Sequence, residues 1–218
     1  MAKSLSDLIL ERKSVKKYYK KNVSTELVAE VLDAGRWAPS AGNLQDWRFI
    51  VIRSEKTKEA ISLACLDQDW MLEAPVFIAV CSDFSSLKEI YKKMYRLFSI
   101  QNCALATENM LLKATDLGLG TCVVAPFDSE KIKEILGVPE NLEVYSIITL
   151  GYPREIEPSM RHNLRDVTFF EKWGEFELDN QKKLKDVEME VEAKLRKVKA
   201  KMNVKLPLQR LKDKFSKK

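Results

Sequence analysis

Three short clusters in this sequence carry side chains suited to chemistry. The first, Arg12-Lys13-Ser14-Val15-Lys16, sets a guanidinium, a hydroxyl and two amines within one turn of chain. Arginine offers a planar fork of donors that matches a phosphate, and serine adds a hydroxyl donor. A lysine close by can stabilise negative charge that develops on a ligand. A solvated basic turn would have the same spacing. The second cluster is Pro39-Ser40-Ala41-Gly42-Asn43-Leu44-Gln45-Asp46-Trp47. Its small residues let a planar ligand approach the backbone, and Ser40, Asn43 and Gln45 can hydrogen-bond carbonyl or hydroxyl groups at a ligand's edge. An ordinary helix-to-strand connection uses the same turn formers. The third, Gly118-Leu119-Gly120-Thr121-Cys122-Val123-Val124-Ala125-Pro126, is a glycine-rich stop leading into a short apolar run. It is neither a GxGxxG fingerprint in a βαβ unit nor a P-loop lysine motif, and two glycines can simply end a helix.

The elements that must position these clusters follow from periodicity and punctuation. A short helix over 4–13 carries Leu5, Leu8 and Ile9 on one face. Ser24 is a good N-cap for a second helix, with Leu27, Val28, Val31, Leu32 and Gly35 at helical spacing and Pro39 as its end. Trp47 to Ile52 reads as a strand and 55–65 as a helix. Pro75 to Cys81 is a continuous apolar run, as expected of a strand buried on both faces. Residues 86–117 read as helical with a break near Ser99, and Ala104 to Leu117 is apolar enough to lie in the core. Gly118-Leu119-Gly120 stops that helix as a C-cap. Thr121 to Ala125 is a third strand, Asp128 caps a helix over 129–136, and Val144 to Leu150 is a fourth strand closed by Gly151-Tyr152-Pro153. This alternation predicts an α/β or α+β sandwich around a central sheet. There is no internal repeat.

The main domain is expected over residues 1–174 and a basic helical extension over 175–218. In the extension Leu184, Val187, Val191, Leu195, Val198 and Met202 recur at spacings of three and four, the signature of an amphipathic helix. Pro207 interrupts it, and Leu208, Leu211 and Phe215 continue a shorter stripe. The net charge of +5 is uneven. Residues 181–218 hold 14 Lys+Arg against 5 Asp+Glu, so the rest of the chain is slightly acidic. Any argument about polyanions therefore concerns the tail.

Of 218 residues, 45% are hydrophobic, enough for a real core. No apolar run approaches the roughly 20 residues of a membrane-spanning helix, and Met1 to Asp7 has no signal-peptide character. The expected location is the cytoplasm. The four cysteines, Cys65, Cys81, Cys103 and Cys122, show no CxxC spacing, and the only histidine is His162. No zinc or other metal site is expected. Structural roles are expected for all four thiols, with Cys81 and Cys122 in apolar runs.

Taken together the clusters resemble the nitroreductase family. Glu11-Arg12-Lys13-Ser14-Val15-Lys16-Lys17-Tyr18 looks like the family's opening motif, and Ala38 through Phe49 looks like its second. Glu108-Asn109-Met110-Leu111-Leu112-Lys113-Ala114 running into Leu117-Gly118-Leu119-Gly120-Thr121-Cys122 is similar to its central helix. Leu136-Gly137-Val138-Pro139 and Leu150-Gly151-Tyr152-Pro153 match its closing segments. The likeness covers about residues 4–173 in order and spacing. One departure is Asp46, where the family usually has proline. A second is the tail, which compact members lack.

The resemblance implies an α+β fold, a nitroreductase-like sandwich with a mostly antiparallel central sheet flanked by helices, here with a C-terminal amphipathic helix added. It implies a homodimer with non-covalent FMN at the interface, NAD(P)H as co-substrate, and a small acceptor such as a nitroaromatic, quinone or enone. Arg12 and Ser14 are expected to hold the FMN phosphate, with Arg161 as a second phosphate ligand and Lys13 among the FMN-binding residues. Lys16, the expected catalytic residue, belongs near N1 and O2 of the flavin ring, where charge gathers on reduction. Pro39, Ser40, Ala41 and Asn43 are expected to reach the flavin from the other subunit, and Gln45 is expected among the FMN-binding residues. The backbone around Val123, Val124 and Ala125 is expected to line its reactive edge. The segment Leu66–Phe98 resembles the family's variable lid, and Trp70, Met71, Phe84, Tyr91, Tyr95 and Phe98 either stack on an acceptor or pack into the core. Packing is favoured for Phe84 and Phe98.

Two rival readings remain at this point: a dehalogenating or flavin-consuming relative, and an FMN-binding regulatory protein whose basic tail lies on a membrane surface. The tail's narrow stripe, interleaved with Glu188 and Glu192, favours packing within the protein over membrane contact. Nucleic acid is not an expected partner, since Phe215 is the one aromatic among residues 181–218.

Overall fold

Side-chain caps set where most of the helices begin. The computed structural model describes residues 3–156 and 160–201, so Met202, Pro207, Leu208, Leu211 and Phe215 lie outside the described residues. Ser4 and Asp7 form a capping box at α1 (Leu5–Glu11). After the short strand β1 (Lys17–Tyr18), the Ser24 side chain accepts the Leu27 amide and opens α2 (Thr25–Arg36). That helix stops three residues before Pro39, because proline disfavours the helical region for the residue preceding it. Strand β2 (Trp47–Ile52) follows. Ser54 caps α3 (Glu55–Ala64) by accepting the Thr57 amide. Strand β3 (Val76–Ser82) is buried at every position, as its apolar run requires.

The long helical stretch departs from expectation. Its break falls at Lys92, which takes a left-handed φ of 46° between α4 (Ser85–Tyr91) and α5 (Tyr95–Asp116). Ser99 lies intact inside α5, because Ser82 and Tyr145 from other elements satisfy its hydroxyl. Gly118, at φ 73°, ends the stretch as expected. Strand β4 spans Gly120–Val124 and leaves Ala125 outside. Asp128 caps α6 (Ser129–Leu136) by accepting the Lys131 amide, and β5 (Glu143–Gly151) and β6 (Pro153–Glu155) follow.

Four strands form one antiparallel sheet in the order β2-β3-β5-β4. Alternate side chains of β3 point to opposite faces. Val76, Ile78 and Val80 join Val28 and Val31 of α2 and Ala106 and Met110 of α5. Phe77, Ala79 and Cys81 join Ile61 of α3 and Ile132 of α6. The result is a sheet with a helical layer on each side, an α+β sandwich. Strands β1 and β6 pair antiparallel in a separate two-stranded sheet.

The chain's contacts divide it into two compact units, Met1–Pro158 and Ser159–Lys218. The second holds α7 (Leu178–Lys201). Within it the Leu164 amide donates to the Glu188 carboxylate, and Phe169 packs on Trp173 and Phe176 at centroid distances of 4.7 and 5.2 Å.

Candidate functional site

The first cluster lies as an extended ribbon against the edge of the main sheet. The Arg12 amide closes α1 on the Leu8 carbonyl. Ser14 then bridges Thr121 of β4 in parallel fashion, and the Val15 amide donates to the Thr121 carbonyl at 2.8 Å. Val15 points inward at 2% exposure, so Ser14 and Lys16 point outward by the two-residue alternation of extended chain. The approach is close enough that a Cβ at Gly120 would stand 2.7 Å from Val15 Cγ2. Below, the buried Tyr18 hydroxyl donates to the Val15 carbonyl at 2.6 Å and sits 2.8 Å from Thr149 Oγ1. The ribbon is thus pinned to β4 and β5 by main-chain and side-chain bonds together.

Its polar groups bear on the Cys122 thiol. Burial pushes that thiol up, while Lys16, the Ser14 hydroxyl and Arg12 each pull the other way; burial prevails. Arg12 is mostly covered, with Nε 3.4 Å from Glu108 Oε1 of α5. Lys13 is half-buried on the same turn. Lys16 is exposed, with Nζ 5.2 Å from the centroid of the Trp70 ring. Trp70 is held in turn by its indole N–H, which donates to Gln68 Oε1 at 3.2 Å.

The second cluster is a single 3-10 turn, Ala41–Asn43, with a strained approach to β2. Gly42, Asn43 and Gln45 have φ of 57°, 54° and 49°. For Gln45 this left-handed conformation costs about 1–2 kcal/mol, and less for Asn43, whose short amide side chain tolerates it. The turn is held from several sides. The Gln45 amide donates to Ser40 Oγ at 3.1 Å, and Gln45 Nε2 donates to the Asn43 carbonyl and Oδ1 at 3.3 Å. The Ala41 amide donates to Asn102 Oδ1 of α5 at 2.9 Å. Pro39, Asn43 and Gln45 present exposed surface, and Ser40 and Ala41 are half-buried. Asp46, by contrast, is 3% exposed and turns into the protein.

At the third cluster Val123 and Ala125 are exposed and Val124 is buried. Arg161 lies in the second compact unit, where its Nη1 donates to the neighbouring Met160 carbonyl at 2.9 Å. Of the candidate lid residues, Met71 is fully buried and Phe84 nearly so, which removes Met71 as an acceptor contact. Phe84 packs on Tyr95 and Phe98 on Tyr91, at 5.0 and 4.8 Å. Trp70 alone among the six stands over Lys16.

Sequence reasoning missed Glu108 as the partner of Arg12, and Asn102 as the anchor of the turn. The available signal for Asn102 was its spacing of three from Ser99, two polar residues on one face of a mostly apolar helix. All four cysteines are free and buried, and burial pushes Cys65 and Cys81 up to about 11. Among the described residues no His, Cys, Asp or Glu cluster is arranged to hold a metal ion, and no helix is long and apolar enough to cross a membrane.

Comparison with known proteins gives a consistent picture. The profile described as "Nitroreductase family" matches residues 9–68 and 62–152. Two relatives are each named "Putative NADH dehydrogenase/NAD(P)H nitroreductase". One, from Archaeoglobus fulgidus, is 36% identical over 152 residues, covering 68% of this chain and 84% of the relative. The other, from Methanothermobacter thermautotrophicus, is 37% identical over 172 residues, covering 77% and 86%. A more distant relative from Bacillus subtilis, named "FMN reductase [NAD(P)H]", is 25% identical over 70% of this chain and 66% of its own. Among solved structures, a nitroreductase family protein from Clostridium novyi NT superposes with a TM-score of 0.64 at 28% identity, covering 81% of this chain and 98% of that one.

Proposed function

Because this chain belongs to the nitroreductase family, we propose that it is an NAD(P)H-dependent oxidoreductase that binds FMN without a covalent bond and reduces a small acceptor such as a nitroaromatic, quinone or enone. The observation that carries this reading is the ribbon bridged to β4 at Ser14, which brings Arg12, Ser14 and Lys16 to one side of the extended chain at the sheet edge. That donor set fits FMN, which is a phosphate ester joined through a polar chain to a ring that gains negative charge on reduction. Arg12 and Ser14 hold the phosphate, with Lys13 beside them. Lys16 supplies positive charge at the pole of the ring where negative charge gathers, and the Trp70 face keeps its ammonium close. The backbone of Val123 to Ala125 lines the ring's edge. Bound flavin supplies the hydride acceptor and donor, so no protein nucleophile is needed.

The working unit in this reading is a homodimer. The exposed Leu97, Ile100 and Leu105 of α5 support it, since that helix also packs against the turn that carries Ala41 and Asn43. That turn then reaches the flavin of the neighbouring copy.

The absorbance spectrum of purified protein, followed by anaerobic bleaching with NADH and with NADPH, tests the whole reading. A colourless protein that takes up no added FMN would sink it. For Lys16 the expected result is narrower. Lys16→Ala slows anaerobic flavin reduction by about tenfold, the size of one screened charge contact to a developing anion. Stopped-flow absorbance measures it, and an unchanged rate removes Lys16 from the mechanism.

A further inference from the structure

Asp46 begins a buried hydrogen-bonded chain that the flavin reading leaves unused. Its Oδ2 accepts the Ser82 hydroxyl at 2.5 Å. Ser82 Oγ accepts from Ser99 at 2.6 Å, and Ser99 Oγ accepts from Tyr145 at 3.0 Å. On its other side, Asp46 Oδ1 accepts Asn102 Nδ2 at 2.6 Å. Asn102 is 2% exposed and spends its own carbonyl oxygen on the Ala41 amide. The Asp46 carbonyl also accepts the Asp83 amide at 2.8 Å, which fixes the carboxylate's own backbone to the end of β3.

The geometry has one outlet. Every donor in the chain points toward the carboxylate, and among the described residues the loop amide its side chains reach is that of Ala41, through Asn102. An amide side chain has one acceptor and two donors, so a donor held on Asp46 orients the Asn102 oxygen toward Ala41. The turn it grips carries three left-handed residues between Gly42 and Gln45, a shape that relaxes unless its surroundings enforce it.

We propose that Asp46 and Asn102 are positioning residues for FMN: a buried strut that fixes the Ala41–Asn43 turn in the shape that receives the flavin. The proposal rests on the flavin reading of that turn. It also gives Asp46 a task, since a hydrogen-bonded strut here restrains chain that a rigid ring would otherwise restrain.

The test compares FMN affinity, by quenching of flavin fluorescence, with the melting temperature of the FMN-free protein. Asn102→Ala and Asp46→Ala are expected to raise the FMN dissociation constant by about tenfold, the scale of one well-made buried hydrogen bond. Asp46→Asn is expected to stay within about twofold of wild type, because hydroxyls donate or accept and the Ser82–Ser99–Tyr145 chain can reverse. A residue that only stabilises the fold would lower the melting temperature and leave the affinity of the folded protein unchanged. Wild-type affinity in Asn102→Ala overturns the strut, and so does a loss in Asp46→Asn equal to that in Asn102→Ala. Should Asp46→Ala fail to fold, those two variants still decide. Failure of the wild type to bind FMN sinks the flavin reading itself, which a bound flavin insensitive to Asn102 would not.

Discussion

Arg12→Ala is expected to weaken FMN binding by about a hundredfold, equivalent to about 2.7 kcal/mol, the scale of a charge-assisted, two-pronged contact with phosphate. Two features of the structure push the effect to that size. The Arg12 side chain is only 19% exposed, so water cannot readily replace it. Its removal also frees Glu108, whose carboxylate lies 3.4 Å from Arg12 Nε and would then face an incoming phosphate with like charge. Titrating the FMN-free protein with FMN and, separately, with riboflavin checks the assignment. Riboflavin lacks the phosphate, so its affinity should be the same in wild type and variant. A parallel loss for both ligands would move Arg12 away from the phosphate. Glu108→Gln supplies the converse: it removes the competing charge and should leave FMN affinity at or above the wild-type value.

The second large effect concerns the fold. Phe77→Ala is expected to lower stability by about 3–5 kcal/mol, the usual cost of truncating a fully buried aromatic side chain. Phe77 has no exposed surface and stands in register with Ile52 on one side and Thr149 on the other. Its ring also lies 5.7 Å from Lys58 Nζ. That ammonium is buried, donates to the Ala74 carbonyl at 3.0 Å and pairs with Glu55 at 2.9 Å. Removing the ring leaves a charged group facing a cavity. Urea unfolding of the FMN-free proteins measures the loss without contribution from ligand binding. A drop under about 1.5 kcal/mol, the range of a tolerated volume-conserving swap, would mean that the site collapses around the gap.

Much of this architecture can be read from local signals. The apolar run before Ser82 announces a strand covered on both faces, and Ser24 and Asp128 announce helix starts, because each effect acts within one or two turns of chain. What escapes is set by distant partners. Strands β1 and β6 are two and three residues long and meet across 138 residues of sequence, as the Lys17–Glu155 ion pair does at 2.6 Å. Neither has a local pattern to display. Ser99 looks like a helix breaker in an apolar stretch until Ser82 and Tyr145 arrive to satisfy it. The same holds in the candidate site. Arg12, Ser14 and Lys16 stand close in sequence, and bringing them to one side needs only an extended ribbon. Asp46 stands out in sequence by its type alone. Its meaning depends on Asn102, 56 residues away on another element, which no spacing rule connects to it.

Strand β3 fills both cores with alternate side chains, so the two faces of the sheet are not separable compartments. A fluctuation that loosens α3 and α6 disturbs the strand that α2 and α5 rest on. In the language of amide hydrogen exchange, the β3 amides bonded to β2 and β5 have no small opening available to them. They are expected to exchange only when the whole sheet unfolds, making them the last clock in the molecule to run.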